Sequence, residues 1–449
     1  MGTLCSVCGG KEIRTPGNER ELVSEHICQI ASKLSRVPFK VRCVVLYNKF
    51  YNEVIHKGFI NSFRDDNIYA KDWSTVVGSY VEKTCVNSSD VDFMRDTGEV
   101  FADADDIPND RMSGLIVTTD HSRMPPGSCW LRYHNTTRFD RYSDPPKHRN
   151  GVEWFLKCGD KIKYANTVCR AKTIDGHTHE PRKSMFDYSV CSTPALQANK
   201  DGYHYFSRKM VEEFDSTNGL TVLNTFNKML PKWMNHGPAF KQTYFGCFDV
   251  DIVNSFNCSK GWPDSAKEWQ NRPRKWPQKD LVTKIVNSGF HVVPIASKIQ
   301  GTENPDLEWR ISFRTAETML VQSFSECQRL CLITLKVLVK EHIESKFPDK
   351  DFMSSYIMKT LVFWTIEETD ASVWEESNMT VCLSLCLEKL KRWLKVGFCP
   401  NYFIPDYNLF RTKLHRMFIL GFREWLIAEL ERDDWRILLR CKSFKHLRN

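Results

Sequence analysis

The sequence contains no uninterrupted apolar run long enough to cross a bilayer, and no apolar signal segment opens it. It also lacks internal repeats and low-complexity stretches, which excludes repeat proteins and collagen-like chains. The 17 cysteines have no regular spacing in a chain of 449 residues, so a disulfide-stapled miniprotein is excluded too. We therefore expect a cytoplasmic protein with reduced thiols.

The composition is that of a globular protein with a sizeable core. Hydrophobic residues make up 41% of the chain and charged residues 26%. The formal net charge of +8 is a mild basic excess, which fits phosphate-bearing ligands without requiring them. The length allows two or three domains.

The first residues, Met-Gly-Thr-Leu-Cys-Ser, match the myristoylation pattern with Gly2 as acceptor. Cys5 is placed where a second, palmitoyl chain could attach, and two chains are what stable anchoring usually takes. An unmodified N-terminus is the open alternative. Cys5 and Cys8 also form a CxxC pair, but no second pair follows at zinc-finger spacing.

Along the chain, a mixed half precedes a helical half, with the change near residues 300–315. A helix is predicted over residues 18–35, and strands are predicted over 244–253 and 289–295. Four later segments have the apolar spacing of helices, namely residues 316–347, 354–367, 379–396 and 407–430. The expected fold class is therefore α/β (α+β).

Paired aspartates are the most informative chemical feature. Asp90 and Asp92 are spaced i and i+2, so on a strand they project from one face. Carboxylates paired in this way can hold Mg²⁺, or Mn²⁺, together with substrate phosphates. A third carboxylate would complete a two-metal site; Asp251 is the natural candidate, and Asp249 on the same strand face is an open alternative.

Gly78 and Ser79 precede these aspartates. A Gly-Ser pair can open a helix whose free N–H groups cradle a triphosphate, because glycine lets the backbone approach the phosphate and serine adds a donor. The Gly-Ser pair or the Asp-x-Asp pair alone is weak evidence for a nucleotide-binding site. Their order and spacing together indicate a nucleotidyltransferase.

At this point the sequence resembles cyclic GMP-AMP synthase and the cyclic GMP-AMP synthase-like receptors, also called the Mab twenty-one nucleotidyltransferases. The resemblance covers roughly residues 20–420. Besides the residues above, it rests on islands at Gly261-Trp-Pro, Glu308-Trp-Arg-Ile-Ser-Phe, Ser354-Ser-Tyr-Ile-Met-Lys-Thr and Cys399-Pro-Asn-Tyr-Phe-Ile-Pro-Asp-Tyr-Asn-Leu-Phe.

The resemblance implies a bilobal nucleotidyltransferase fold, in which a mixed-sheet lobe with N-terminal helices is followed by a C-terminal helical lobe. The corresponding division is a flexible N-terminus over residues 1–17, a nucleotidyltransferase lobe over 18–305, a helical lobe over 306–435 and a basic tail over 436–449.

The resemblance also implies roles for individual residues. Asp90, Asp92 and Asp251 match the catalytic, metal-binding carboxylates, and Gly78 and Ser79 match the phosphate loop. The implied nucleotide-binding residues are Arg310, Ser312, Glu317, Lys336, Ser355, Tyr356 and Lys359. Among them, Lys336, Ser355 and Lys359 match phosphate contacts, and Tyr356 matches a tyrosine that stacks on a base.

One departure concerns zinc. The vertebrate DNA-sensing synthase has a zinc-binding insertion after its Trp-Arg-Leu-Ser-Phe segment, whereas this chain continues from Phe313 directly into a predicted helix. That helix contains Cys327 and Cys331, and two ligands do not complete a zinc site, so we expect buried thiols and no structural zinc. The chain is thus similar to the zinc-free receptors.

The function implied by the resemblance is ligand-activated synthesis of a cyclic dinucleotide from ATP and GTP in innate immunity, with a STING-type receptor reading the product. Two alternatives remain: a catalytically silent interaction or developmental protein on the same fold, and a transferase that makes linear oligomers. We expect double-stranded RNA as the activator. The candidate basic groups are Lys57 and Arg64; Arg272, Arg274, Lys275 and Lys279; and Arg436, Arg440, Lys442, Lys445 and Arg448.

Overall fold

A computed structural model of the protein describes residues 16–35, 42, 45–46, 75–86, 91–103, 116–134, 196–198, 200, 203–209, 234–236, 239–244, 248–297, 303–347, 353–410 and 416–448. The chain divides into two compact units. The sheet unit contains residues 36–323 and 397–416, and the helical unit contains residues 1–35, 324–396 and 417–449.

The sheet unit is built on one mixed sheet, to which eleven described strands contribute. The strands are β1 (Thr75–Val77), β2 (Val91–Glu99), β3 (Ile116–Asp120), β4 (Ser128–His134), β5 (Leu196–Ala198), β6 (His204–Phe206), β7 (Met234–His236), β8 (Ala239–Tyr244), β9 (Phe248–Cys258), β10 (Phe290–Val293) and β11 (Glu308–Ser312). Its main path runs β1-β2-β9-β10-β11-β4-β6-β5. Of the described pairings, β2 with β9 is parallel and the others are antiparallel.

Apolar side chains cover both faces of this sheet near its centre. On one face Val77, Met94 and Val293 form a buried cluster, against which Val253 and Ile295 pack. On the other face the rings of Phe206, Phe256 and Trp309 meet at centroid distances of 5.2–5.8 Å. Each buried side chain of this kind contributes about 1.5–3 kcal/mol to the stability of the fold. This packing fixes the strands that carry the candidate site.

The described residues of the sheet unit include the helices α2 (Lys267–Asn271), α3 (Lys279–Asn287) and α4 (Arg314–Gln322). Residues 397–410 also belong to this unit, because the ring of Phe403 stacks on Phe313 at 4.5 Å and lies 5.0 Å from Trp269. Two asparagines hold this segment in a non-helical path. The Oδ1 atom of Asn401 accepts the N–H groups of residues 403 and 404, and the Oδ1 atom of Asn408 accepts those of residues 399 and 410.

The described helices of the helical unit are α1 (Pro16–Leu34), α5 (Glu326–Leu338), α6 (Glu344–Lys346), α7 (Ser355–Glu368), α8 (Met379–Val396) and α9 (Arg416–Asp433), with a π-helix at Val339–Ile343 between α5 and α6. Although α1 begins the described chain, it packs on α8. The Ser24 and Thr380 hydroxyl oxygens lie 3.1 Å apart, and Ile27 is fully buried. The lobe predicted over residues 18–305 includes α1 together with the sheet, whereas in the structure α1 belongs to the helical unit.

One predicted helix is wrong. The apolar spacing of residues 316–347 suggested a continuous helix, but α4 ends at Gln322 and α5 begins at Glu326. A capping box causes the break: the Ser325 hydroxyl accepts the N–H of Gln328, and the Gln328 side chain accepts the N–H of Ser325. The predicted helix over residues 407–430 also begins too early, since 407–410 are non-helical and α9 starts at Arg416.

The C-terminal segment is folded rather than a free tail. It forms 3₁₀ turns at Asp434–Arg440 and Lys445–Arg448, and buries Trp435, Ile437 and Phe444. The N–H and hydroxyl of Ser443 donate to the carboxylate of Glu341 at 2.9 and 2.6 Å. These contacts anchor the segment within the helical unit.

Candidate active site

Two predicted carboxylates lie side by side in the sheet. Asp92 on β2 pairs in register with Asp251 on the parallel strand β9. Directly paired residues project to the same face of neighbouring strands, which are about 4.8 Å apart. Both side chains are half-buried and both make polar or electrostatic interactions within the unit. The pairing brings two hard oxygen ligands together at the start of both strands.

The Gly78-Ser79 segment touches this pair. Gly78 follows β1, in which Val77 pairs with Asp92, and has a φ of +66°. A Cβ atom added at Gly78 would lie 2.5 Å from Asp92 Oδ2, closer than real Cβ contacts allow. Only glycine therefore satisfies both the backbone conformation and the close approach to the carboxylate.

The segment after Gly78 is a compact turn, not the opening of a helix that the sequence suggested. The carbonyls of Gly78, Ser79 and Tyr80 accept the N–H groups of Glu82, Thr84 and Lys83 at distances of 2.9–3.2 Å. Residues 82–84 are thereby folded back onto residues 78–80. The turn is rigidly held because Glu82 and Thr84 are also buried.

Asp90 and Asp249 are the candidates for a third carboxylate beside this pair. Asp90 lies outside the described residues. Asp249 is on β9 and pairs through its backbone with Thr243, while register places Asp251 beside Asp92. Among the described residues, no three His, Cys, Asp or Glu side chains are grouped so that they could hold a metal ion. A metal site here would therefore need a ligand such as Asp90 in addition to the pair.

Arg310 and Ser312 project from the same face of the sheet as the carboxylate pair. Ser312 pairs with His291, which pairs with Asn257, and Arg310 pairs with Val293. Residues 251 and 257 are six apart on the continuous strand β9, so their side chains share a face. Arg310 is exposed and Ser312 is half-buried, and both are therefore open to solvent on this face. Glu317, in the first turn of α4, is half-buried.

Two family models match this chain. The model described as the Mab-21 protein nucleotidyltransferase domain matches residues 222–323, and the one described as the Mab-21 protein HhH/H2TH-like domain matches residues 327–419. Over these two ranges the chain is similar to the Mab-21 family, with the two domains in the same order along the sequence. The resemblance stated from the sequence motifs and the expected mixed fold are thus confirmed. The two matches meet where the capping box separates α4 from α5.

A curated relative is similar to this chain over part of its length. It is the protein mab-21-like of Drosophila melanogaster, 30% identical over 173 residues. The match spans 37% of this chain and 46% of the relative, so less than half of that relative is covered. The nucleotidyltransferase domain itself suggests a divalent metal ion. Gly78, Ser79 and Asp92 precede the matched domain, whereas Asp251, Arg310, Ser312 and Glu317 lie inside it.

The sequence motifs did not identify two buried polar residues of the sheet, His291 and Glu308. Burial and, secondarily, the Arg314 cation lower the pKa of His291 to about 4, so its imidazole is neutral at physiological pH. Glu308 is fully buried, and its Oε2 accepts the N–H of Ser297 at 2.6 Å. His291 and Glu308 each stand between two apolar residues in the sequence. This alternation, typical of a strand, was the sequence signal that could have identified them. They support the strands beside Arg310 and Ser312.

The remaining predicted nucleotide contacts belong to the helical unit. Ser355 and Lys359 are four residues apart on α7 and share one face, with Tyr356 half-buried beside Ser355. Lys336 on α5 is 5% exposed and Lys359 is 9% exposed. Lysines are seldom buried unless their charge is compensated, and all three of Lys336, Tyr356 and Lys359 make polar or electrostatic interactions within the protein.

The cysteines of α5, Cys327 and Cys331, are buried thiols, as the sequence predicts. The Cys327 thiol donates to the Glu375 carbonyl at 3.2 Å, and the Cys331 and Cys386 sulfurs lie 4.0 Å apart. The hydrogen bond with Cys386 and the burial together raise the pKa of the Cys331 thiol. The Cys331 thiol is therefore protonated and unreactive at neutral pH.

The basic segment after Trp262 divides into packed arginines and exposed lysines. Arg272 donates to the Tyr402 carbonyl at 3.4 Å, and its guanidinium lies 5.3 Å from the centre of the Tyr402 ring. Arg274 lies 4.6 Å from the Trp269 ring. Lys275 and Lys279 are exposed. The arginines therefore contribute to the packing of the sheet unit, and the lysines present charge to solvent.

The other basic groups differ in the same way. Arg440 forms an ion pair with Glu429 at 2.7 Å, whereas Lys442 and Lys445 are exposed. Lys57, Arg64, Gly2 and Cys5 lie outside the described residues, as does the side chain of Arg448. No helix within the described ranges is both long and apolar enough to cross a membrane.

Proposed function

We propose that this chain is a metal-dependent nucleotidyltransferase that makes a cyclic dinucleotide from ATP and GTP. The observation that carries the proposal is the in-register pair of Asp92 and Asp251, with Gly78 pressed against the Asp92 carboxylate. A purely structural strand has no need of two adjacent carboxylates, which repel each other when both are charged. A bound divalent cation would remove that repulsion.

Asp92 and Asp251 would hold Mg²⁺ or Mn²⁺ together with a third carboxylate, Asp90 or Asp249. When bound, the metal supplies charge stabilisation to the transferred phosphoryl group. The Gly78-Ser79 turn would seat the donor triphosphate beside the carboxylates, because its backbone already contacts Asp92. A ribose hydroxyl of the acceptor then attacks the α-phosphate: a new O–P bond forms, the bond to the β-phosphate oxygen breaks, and pyrophosphate leaves. In the linear product, a ribose hydroxyl of the other nucleotide attacks the remaining α-phosphate, which releases a second pyrophosphate and closes the ring; the proton of each attacking hydroxyl passes to solvent.

Each unit also has residues that are predicted to bind a nucleotide. Arg310 offers a planar guanidinium to a base or phosphate, and Ser312 and Glu317 offer a hydroxyl and a carboxylate. In the helical unit, Lys336, Lys359 and Ser355 would bind phosphates, and Tyr356 would stack on a base. Removal of the Tyr356 ring should weaken nucleotide binding by about 1–3 kcal/mol without unfolding the protein.

Product analysis tests the proposal. The purified full chain is incubated with ATP, GTP and Mg²⁺, with and without double-stranded RNA, and the products are separated and identified by mass spectrometry. A cyclic dinucleotide with release of pyrophosphate is the expected result. Linear oligomers would instead support the templateless transferase, and no product under any condition would support a catalytically silent interaction or developmental protein on this fold.

We propose double-stranded RNA as the activator, bound by exposed lysines of the sheet unit. Lys275, Lys279 and Lys284 are all exposed on or beside α3 and could contact successive phosphates. Changing these three to Glu should abolish RNA binding and activation, and wild-type binding should weaken with salt by a log–log slope of about −0.9 per phosphate contact. Arg272 and Arg274 are unsuitable targets because they pack on aromatic rings.

The control for this experiment is the triple variant in which the same lysines become Arg, which keeps the charge. If RNA neither binds nor raises product at low salt while another ligand does, the RNA assignment fails and the synthase assignment stands. In this proposal, the cyclic dinucleotide is bound by a STING-type receptor.

The N-terminal pattern supports a cytoplasmic protein with a membrane-associated pool, anchored through acylated Gly2 and Cys5. In cells, Gly2→Ala should move this pool to the soluble fraction. Equal fractions for mutant and wild type would show that Gly2 is not acylated.

A further inference from the structure

The turn that follows Gly78 contains a lysine in an unfavourable backbone conformation. Lys83 has a φ of +55°, in the left-handed region that glycine, asparagine and aspartate tolerate far better than lysine. The other non-glycine residue with positive φ among the described residues is Asp434. Aspartate suits that region, and the Asp434 carboxylate accepts the Ser384 hydroxyl at 2.7 Å.

Lys83 differs in burial from the residues next to it in the chain. Glu82, Thr84, Cys85 and Val86 are all buried, whereas Lys83 is exposed. The core packing of this segment is therefore carried by its neighbours. A glycine or asparagine at position 83 would relax the backbone, so a lysine at this position costs stability.

The turn fixes where Lys83 stands. Its N–H donates to the Tyr80 carbonyl at 3.2 Å, between the bonds that join Glu82 to Gly78 and Thr84 to Ser79. The backbone of residue 83 is thereby folded back onto the Gly78-Ser79 segment, and Gly78 contacts the Asp92 carboxylate. The exposed side chain of Lys83 therefore starts from the same turn whose Gly78 approaches the Asp92 carboxylate.

We propose that Lys83 is a substrate-binding residue that holds the triphosphate of the nucleotide seated at the Gly78-Ser79 turn. This inference rests on the proposed nucleotidyltransferase function. A triphosphate approaching Asp92 and Asp251 meets negative charge, and a cation on the same turn offsets it. The compact ammonium of lysine is a common phosphate ligand. Backbone strain at a functional turn is then the consequence of needing a cation where the backbone favours glycine or asparagine.

The test compares ATP binding by the full chain in Mg²⁺ for the wild type, Lys83→Asn and Lys83→Arg, using calorimetry at two salt concentrations. Asparagine keeps the left-handed conformation and loses the cation, so Lys83→Asn should weaken binding about 10-fold and reduce its salt dependence, which a lost charge-assisted contact predicts. Its melting temperature should equal or exceed that of the wild type. Lys83→Arg should bind within about threefold of wild type because the charge remains.

Lys260→Asn is the matched control, because Lys260 is an exposed lysine of the same unit and its loss changes the net charge equally. Its ATP affinity should equal that of the wild type. Wild-type affinity in Lys83→Asn would overturn the assignment of Lys83 and leave the proposed function standing, as would an equal loss in Lys260→Asn. If the wild type itself binds no ATP, the proposed function fails and this inference fails with it.

Discussion

At the scale of single residues, the site depends on strand register and on one glycine. Asp92 and Asp251 meet because β2 and β9 pair in parallel with these residues opposite each other. A slip of one residue would turn one carboxylate to the other face of the sheet. The β-bulge in β2 lies between Asp96 and Gly98, after the carboxylate pair, so it does not disturb this register.

Gly78→Ala should abolish turnover without unfolding the chain. The new Cβ would lie 2.5 Å from Asp92 Oδ2 at a φ of +66°, so either the carboxylate or the turn must move. A misplaced catalytic group costs about 10²-fold or more in rate. Steady-state product formation and thermal melting measure the two effects. Gly421→Ala is the matched control, because a Cβ at Gly421 meets nothing within 4 Å. Full activity in Gly78→Ala would show that the close approach is not needed.

His291 should make stability depend on pH. Its pKa is lowered from 6.5 to about 4 in the folded state, so the unfolded chain binds more protons between these values. The stabilisation is present above pH 6.5 and is lost as the pH falls towards 4, by ~3 kcal/mol in all. Urea unfolding at pH 7 and pH 4.5 measures the loss, which should be smaller in His291→Phe. An equal loss in the variant would assign the pH dependence to other groups.

At the scale of secondary structure, apolar periodicity predicts where the helices lie, and local polar contacts determine where they begin and end. The segments predicted at residues 18–35, 354–367 and 379–396 match α1, α7 and α8 to within two residues, because each has a regular apolar face. Periodicity cannot show where a helix stops when the apolar face continues. It therefore missed the break at Ser325, although the Ser-x-x-Gln capping pattern was visible in the sequence.

Ser325→Ala should destabilise the protein by about 1 kcal/mol, since it removes the side-chain acceptor that caps α5. Ser354→Ala is the matched control: Ser354 precedes α7, but its side chain makes no capping hydrogen bond. Chemical unfolding of both variants under the same conditions gives the comparison. A larger loss in Ser354→Ala than in Ser325→Ala would contradict the capping account.

Part of the site could be predicted and part could not. The Gly-Ser and Asp-x-Asp spacing identified Gly78 and Asp92 because glycine conformation and strand alternation are local properties. The pairing of Asp92 with Asp251 joins residues 159 positions apart and depends on sheet topology. The packing roles of Arg272 and Arg274 also arise from distant residues, since Tyr402 lies on a segment of the chain far from both. Charge alone made these arginines look like a binding surface.

At the scale of the whole molecule, sequence order does not follow the two units. Helix α1 packs with α8, and residues 397–416 return to the sheet unit after helices α5 to α8 of the helical unit. Folding of each unit therefore requires contacts between distant parts of the chain, as in the Ser24–Thr380 pair. A cut at residue 305, the predicted lobe boundary, would separate α1 from its partners in α8.

The most direct test of the central claim is the rate of dinucleotide formation by Asp251→Asn compared with the wild type and Asp249→Asn. The measurement is made with ATP, GTP and Mg²⁺ under conditions in which the wild type is active, and thermal melting verifies that each variant is folded. If Asp92 and Asp251 jointly hold the metal, Asp251→Asn should lower the rate about 10³-fold or more. A rate near wild type in Asp251→Asn, with the loss found in Asp249→Asn instead, would contradict the assignment, and a fully active Asp92→Asn/Asp251→Asn double variant would contradict the proposed catalytic site altogether.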